Sequence, residues 1–457
     1  MHIFNVFLPA IITYARFGGS KMLQREVTSK IKKWKKKHDH KCLVIRGARQ
    51  VGKTFTVEHF CRDEYSSFVE MNFLEMQSMK NIFSGDLDAR TIKKNISLYI
   101  PEAKFIPGET CIFIDEIQEC PEAITSLKFL AKEKDFDVIA SGSMLGIDYK
   151  RPTSYPVGSV QYIDMFSLNF REFLRSSGVG DEIIEELMEH FLNRTSVPWA
   201  IHDKIMELFR LYIILGGMPE ALSIYYNNNS IADADRKIRD ILNDYRYDIA
   251  HYAVADVKIK AEECYFSLSN QLSKDNHKFK YSIIEKGGTA RKFGSSIDWL
   301  KSADLIKCVH NISGYDIPLG NGAITDNFRV YPTDIGLLMG MFDKNVKEYI
   351  LHPDDSTLGG TVKGGIYEAA IADILIKNGY KELFFRKNET ATFEIEFLIE
   401  NQDGVIPIEV KSGRSKSKSL DNLLKRDEIP YGYKLIDGNV GVAGKKITLP
   451  LYMAMFI

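Results

Sequence analysis

The run Cys42-Leu43-Val44-Ile45-Arg46-Gly47-Ala48-Arg49-Gln50-Val51-Gly52-Lys53-Thr54 sets the architecture of the chain. Its first four residues are apolar without alternation, the pattern of a short strand buried on both faces. After Arg46 the sequence reads G-x-x-x-x-G-K-T, and Lys53 to Phe60 continues as a helical pattern. A glycine-rich loop between a buried strand and a helix turns backbone N–H groups and a helix N-terminus toward one point, where they hold an anion. Lys53 is then expected to reach the β- and γ-phosphates of a nucleotide, and the Thr54 hydroxyl to ligate Mg²⁺. A chance glycine-rich turn is the bland alternative, but it needs neither the strand before it nor the helix after it. Gly47, Ala48, Arg49, Gln50, Val51, Gly52, Lys53, Thr54 and Phe55 are the expected nucleotide-binding residues.

Outward from the loop, Ser67–Asn72, Cys111–Ile114 and Asp137–Ala140 read as further strands with helical stretches between them. That alternation predicts an α/β domain with a parallel sheet covered on both faces. The second of these strands runs into Asp115-Glu116. Carboxylates at the C-terminal end of a strand face the ligand crevice of an open sheet. Asp115 is expected to hold Mg²⁺, directly or through water, and Glu116 to act on the attacking water as a base or polarising group. A solvated acidic turn is the competing reading. The third strand ends at Ser141-Gly142-Ser143. Ser143, ahead of Ser141, is expected to contact the γ-phosphate or the water, although a tight turn without a role fits the same residues. Asp-Glu at the strand end and the lack of an N-K-x-D segment favour ATP over GTP. Arg46, Arg49, Arg151, Arg171 and Arg210 are all available as a cation for the transition state, and nothing in the sequence chooses among them.

The chain has 457 residues, 45% hydrophobic and 26% charged, enough for three or four domains with cores of their own. A formal net charge of −1 excludes a molecule that binds nucleic acid with its whole surface and leaves only local patches. Six cysteines are scattered without C-x-x-C spacing, which disfavours a disulfide framework or a zinc site and suggests a reducing compartment, the cytoplasm. Ile3 to Tyr14 is apolar but shorter than the ~20 residues that span a bilayer. Residues 1–21 read as an upstream extension, with a membrane-surface or partner-binding segment as the alternative. The lysines between Lys30 and Lys37 read as the solvated face of a helix over 23–41 that buries Ile31 and Trp34.

Beyond about residue 175 the strands give way to amphipathic helices at 181–192, 201–215 and 231–252, a plausible lid over the nucleotide. Residues 256–335 then read helix, helix, hairpin, the order of a winged helix. Lys274, Lys278, Lys280, Lys286, Arg291 and Lys292 could hold the phosphates of DNA there. Winged helices also serve as plain protein-binding modules, so a protein partner stays open. The last segment opens with a helix at 366–377, followed by strand-like runs at 382–386, 393–400 and 405–410.

Taken together, G-A-R-Q-V-G-K-T at 47–54, I-D-E-I-Q at 114–118, S-G-S at 141–143, F-S-L-N-F-R-E-F at 166–173, G-G-M-P-E-A at 216–221, Y-P-T-D-I-G at 331–336, G-I-Y-E at 365–368 and I-E-V-K-S-G at 408–413 resemble prokaryotic AAA-type ATPases with an uncharacterised, nuclease-like C-terminal domain. The resemblance runs from about Leu23 to the end. It implies ATP binding, with nucleic acid as the expected partner of an ATP-dependent switch or remodeller. The alternative is a non-nucleolytic regulatory ATPase that binds a protein. It departs from the family at Ser159, where relatives carry a basic residue, and at Glu396, where they carry Asp.

Glu368, Glu396, Glu409 and Lys411 follow the order of the PD-(D/E)xK nuclease fold, in which two carboxylates hold Mg²⁺ and the lysine assists the attacking water. Charged alternation on a solvated strand produces E-x-K equally well, and Glu396 is one methylene longer than the expected Asp. The expected division is an extension at 1–22, a P-loop ATPase domain at 23–175, a helical lid at 176–255, a winged-helix-like domain at 256–345 and a nuclease-like domain at 346–457.

Overall fold

The computed structural model describes residues 23–37, 39, 41–143, 154, 156–253, 255–274, 277–353, 359–390, 392–411, 413 and 417–457. The N-terminal extension and Arg151 lie outside them. In chain order the first half comprises α1 (Val27–Lys37), β1 (Cys42–Gly47), α2 (Lys53–Glu64), β2 (Ser67–Asn72), α3 (Ala89–Tyr99), β3 (Thr110–Asp115), α4 (Pro121–Leu130), β4 (Phe136–Ser143) and β5 (Val160–Asp164). The five strands form one parallel sheet in the order β2-β3-β4-β1-β5.

Alternate residues of the central strands feed two separate cores, which is what an unbroken apolar run does in a sheet covered on both sides. Cys42, Val44, Ile112, Ile114, Val138 and Ala140 face one core. Leu43, Ile45, Cys111, Phe113 and Ile139 face the other, with Val27, Ile31 and Trp34 of α1 closing it. The lysines of α1 face outward as expected, and Lys35 sits over the Tyr65 ring beside Glu64. The edge strand β5 buries only Ile163. Cys61 and Cys111 are free thiols 3.5 Å apart between α2 and β3.

The helical segment follows: α5 (Phe170–Ser176), α6 (Asp181–Asn193), α7 (Trp199–Leu215), α8 (Pro219–Asn228), α9 (Ile231–Tyr252) and α10 (Ala255–Phe266), then α11 (Ala290–Ser302). The hairpin β6 (Ile306–Ile312) and β7 (Ala323–Pro332) precedes α12 (Ile335–Gly340) and the long helix α13 (Gly360–Lys377). Six more strands complete the chain: β8 (Phe384–Lys387), β9 (Glu394–Asn401), β10 (Gly404–Val410), β11 (Gly432–Ile436), β12 (Gly441–Ala443) and β13 (Lys446–Pro450).

The hairpin does not stand free as a wing. β6 pairs in parallel with β8, so β6 and β7 become the edge of a mixed eight-stranded sheet in the order β12-β13-β11-β10-β9-β8-β6-β7. One core runs through Phe170, Tyr212, Ile238, Trp299, Ile371 and Leu435, from the lid helices to the last strands. The boundaries expected at 255/256 and 345/346 fall inside that core. The physical reason is α13, whose residues from Gly365 to Ile376 are all buried, so it packs on the sheet and on the lid together.

Among the described residues no helix is long and apolar enough to cross a membrane.

Candidate nucleotide site

The loop has the backbone the sequence requires. Gln50 and Gly52 adopt positive φ, 64° and 89°, which turns successive N–H groups inward. A Cβ on Gly47 would lie 2.0 Å from the Met165 carbonyl oxygen, because β5 runs directly into the loop's flank. Lys53 is buried, and its Nζ donates to the Gly47 and Ala48 carbonyl oxygens at 3.1 and 2.8 Å. Burial holds its pKa below the usual lysine value, partly offset by the nearby Glu116 and Asp115 carboxylates.

Asp115 anchors the other side. Thr54 Oγ1 donates to Asp115 Oδ2 at 2.8 Å and Asn72 Nδ2 donates to the same oxygen at 3.1 Å, while Ser141 Oγ donates to Oδ1. β4 lies between the loop strand and the Asp115 strand, which brings Ser141 to the carboxylate. Ser143 Oγ, the serine favoured from the sequence, is buried and has no hydrogen-bond partner among the described residues. Glu116 sits just past β3 with φ 52°, and its side chain accepts from Gln118 Nε2. Asp115 and Thr54 offer hard oxygen donors in contact, a set suited to Mg²⁺, which takes one or two protein ligands and completes its shell with phosphate and water.

Residues that the sequence reading passed over hold the loop from outside. Arg25 donates to the carbonyl oxygens of Val51 (2.8 Å) and Phe166 (2.6 Å) and pairs with Glu172. From the lid, α9 contributes Asp244 to Gln50 (2.8 Å), Tyr245 OH to the Arg49 carbonyl oxygen (3.2 Å), and Asp248 and Tyr252 to the Arg49 guanidinium. Asp244, Asp248 and Tyr252 are spaced four apart, one stripe of a helix, and that spacing is visible in the sequence. Phe55 is 53% exposed and its ring lies 4.3 Å from that of His59. Both border a cavity of about 230 Å³ with Leu23, Arg25 and Thr56.

Three of the quoted motifs meet at a buried node behind the loop. Asp334 accepts from Ser167 Oγ (2.6 Å), from the Gly217 N–H (2.8 Å) and from the first N–H groups of α12. Lys377, at the end of α13, bridges Asp334 and Asp373 and also donates to Tyr212 OH and the Leu168 carbonyl oxygen. The node joins the flank of the nucleotide domain, the lid and the C-terminal helix.

The C-terminal carboxylates are each engaged. Glu368 accepts from Arg329 and Tyr331 and lies 2.7 Å from His277 Nδ1. Burial raises its pKa, but Arg329 and His277 outweigh that and hold it well below the carboxylate range. Glu396 accepts from Lys411 (2.7 Å) and from the Val410 N–H (3.2 Å). Burial, with Glu368 and Glu409 nearby and Lys411 opposing, pushes it up to about 7. Glu409 lies 3.5 Å from Lys411 and leaves one buried oxygen without a hydrogen-bond partner among the described residues. Among the described residues no group of three or more His, Cys, Asp or Glu could hold a metal ion. The structure thus brings Glu396, Glu409 and Lys411 together, while Glu368 is committed to Arg329.

Residues 39–174 match the family described as an AAA domain. Residues 206–348 and 363–453 match two families described only as domains of unknown function (DUF8612 and DUF4143). No curated protein matches the sequence. Among solved structures, a Walker-type ATPase of Pyrococcus abyssi is similar at 13% identity and a TM-score of 0.42, over 70% of this chain and 96% of that one. The ORC1 protein of Aeropyrum pernix, in complex with DNA, is similar at 11% identity and 0.29, over 73% and 94%. C. elegans PCH-2 is similar at 14% identity and 0.22, over 36% and 47%. At these scores the structural likenesses carry no functional implication. The parallel sheet, the loop with its Asp115 strand and the family match define an AAA-type P-loop ATPase domain. That domain occupies residues 39–174, and the two regions matched beyond it carry no assigned role.

Proposed function

We propose that the chain is a Mg-ATP-dependent switch that hydrolyses ATP at Gly47–Thr54 and uses its nucleotide state to change how the C-terminal half engages nucleic acid. The observation that carries this reading is the grip of α9 on Arg49 and Gln50. A helix bonded to the phosphate loop must feel phosphates arrive, and α9 shares its core with the eight-stranded sheet. Lys53 turns from the loop carbonyls to the phosphates, and Glu116, released by Gln118, orients the attacking water. Mg²⁺ held by Thr54 and Asp115 would neutralise charge on the β- and γ-phosphates. Ser143, with its unsatisfied hydroxyl, is the second polar group available to the γ-phosphate. The cavity beside Phe55 and His59 offers room for the base.

Contact with nucleic acid is supported by Lys274, Lys280, Lys286, Arg291 and Lys292, all exposed, with Lys292 paired to Glu285. We read the C-terminal sheet as a binding module on a nuclease-like arrangement, because Glu368 is consumed by its ion pair. The free thiols of Cys61 and Cys111 are in keeping with a reducing compartment such as the cytoplasm. DNA affinity of the full chain, measured against salt with ATP and with ADP, tests the proposal. Arg291→Glu with Lys286→Glu should weaken binding and lower the salt slope by about one per lost phosphate contact. Salt-independent or absent DNA binding would move the reading to a regulatory ATPase whose C-terminal half holds a protein partner.

A further inference from the structure

Phosphoryl transfer concentrates charge on the transferred group, and a well-placed arginine is worth ~10³–10⁵ in rate. Of the five arginines open in the sequence, four are described, and three of these are spent elsewhere. Arg46 is paired with Asp164 at 2.6 Å beneath the Tyr162 ring. Arg171 is bound to Glu26 and the Met455 carbonyl oxygen, and Arg210 to Asp437 at 2.8 Å. Arg49 differs because it belongs to the phosphate loop itself.

Its guanidinium is held from the lid, Nη1 by Asp248 and Nη2 by Tyr252 OH at 2.6 Å, with the Tyr252 ring 4.8 Å away. Among the described residues its buried Nε has no acceptor, and the amide oxygen of the next residue, Gln50, is likewise unsatisfied. An arginine that keeps a buried donor unpaired is not optimised for its resting partner. Asp248 also lies within electrostatic reach of Glu116, the carboxylate expected to act on the attacking water.

We propose that Arg49 is the arginine that stabilises the γ-phosphate in the transition state, supplied from within this chain, and that Asp248 and Tyr252 hold it in reserve until a triphosphate arrives. The inference rests on the ATPase reading. A triphosphate carries more charge than one carboxylate and offers the paired oxygens that a guanidinium fork prefers. Its arrival therefore draws Arg49 off Asp248 and releases α9, so one residue serves both turnover and the signal to the lid. Arg49 acts on substrate; Asp248 and Tyr252 are positioning residues.

The test uses the full chain, steady-state ATP turnover, and calorimetry with Mg-ADP and with Mg-ADP plus aluminium fluoride as the transition-state mimic. Arg49→Ala should lower kcat by about a thousandfold or more, leave ADP affinity within a few-fold, and lose the extra affinity for the aluminium fluoride complex. Arg49→Lys should not restore the rate, since a point charge lacks the fork. Asp248→Asn, which removes the competing charge at constant size, should lower KM. Turnover of Arg49→Ala within about threefold of wild type, with Lys53→Ala inactive, would overturn the inference and leave the ATPase reading standing. Equal losses of ADP binding and turnover in Arg49→Ala, or a kcat in Asp248→Asn as low as that of Arg49→Ala, would mark a structural clamp and overturn it too. Equal turnover in wild type and Lys53→Ala would overturn the ATPase reading beneath it and this inference with it.

Discussion

Removing the Lys377 ammonium should cost most where the pH keeps its partners charged. Its side chain is 1% exposed and lies 2.9 Å from Asp373 and 3.2 Å from Asp334. In Lys377→Met the stem keeps much of its packing. Asp334 retains four donors, from Ser167, Gly217, Gly336 and Leu337. Asp373 is left with Tyr212 OH at 2.8 Å, so the penalty concentrates there. Burial already pushes Asp373 up to about 6 despite Lys377. Breaking a buried pair by removing one partner costs about 3–5 kcal/mol.

The sign with pH follows from proton uptake. A carboxyl whose folded pKa is raised destabilises the fold as pH rises through that value, and loss of Lys377 raises it further. Urea unfolding of the full chain should therefore show a deficit of about 3 kcal/mol or more at pH 8 that shrinks toward pH 5, as Asp373 takes a proton. The double variant Lys377→Met/Asp373→Asn should recover much of the loss at pH 8. A deficit below about 1 kcal/mol, or one equal at pH 5 and pH 8, would refute the reasoning.

Three further outcomes follow from the same geometry. Glu116→Gln keeps shape but cannot take a proton, so ATP should bind with near wild-type affinity and remain unhydrolysed; wild-type turnover would remove Glu116 from the role. Gly47→Ala should cost about 1–3 kcal/mol of stability and weaken Mg-ATP binding at least about tenfold, because its Cβ meets the Met165 carbonyl oxygen; unchanged calorimetry would show that the loop can give way. Glu396, raised to about 7 from 4.5 by burial, makes the fold lose stability as pH climbs through that interval, up to about 3 kcal/mol. Glu396→Gln should gain on wild type from pH 5 to pH 8 in urea unfolding, and a constant difference would contradict the shift.

The parts of the molecule legible in its sequence are those encoded by local pattern. Cys42–Ile45 and Cys111–Ile114 are apolar at every position, so their depth in a two-sided sheet was readable, and the glycines of the loop announced its backbone. β5 escaped because, as an edge strand, it buries only Ile163 and carries no apolar run. β11 to β13 were missed for a like reason, with polar residues such as Tyr433 and Lys434 interrupting them. The choice of Ser143 over Ser141 rested on two serines that share a strand face, and only the position of β4 beside β3 shows that Ser141 reaches Asp115. Arg49 meets Asp248 across 199 positions, and Lys377 meets Leu168 across 209. Periodicity does not register such distances, which is also why the hairpin β6–β7 read as part of a winged helix, with its pairing to the C-terminal sheet unseen.

The account stands on Lys53 as the buried cation of a working ATP site. Titration calorimetry of the full chain with Mg-ATP, beside Lys53→Ala at the same salt and pH, tests it most directly. Wild type should bind a single equivalent. Lys53→Ala should bind too weakly to measure while melting close to wild type, since among the described residues its ammonium donates to two loop carbonyls and to no side chain. Equal affinity for Mg-ATP in the two proteins would contradict the central claim.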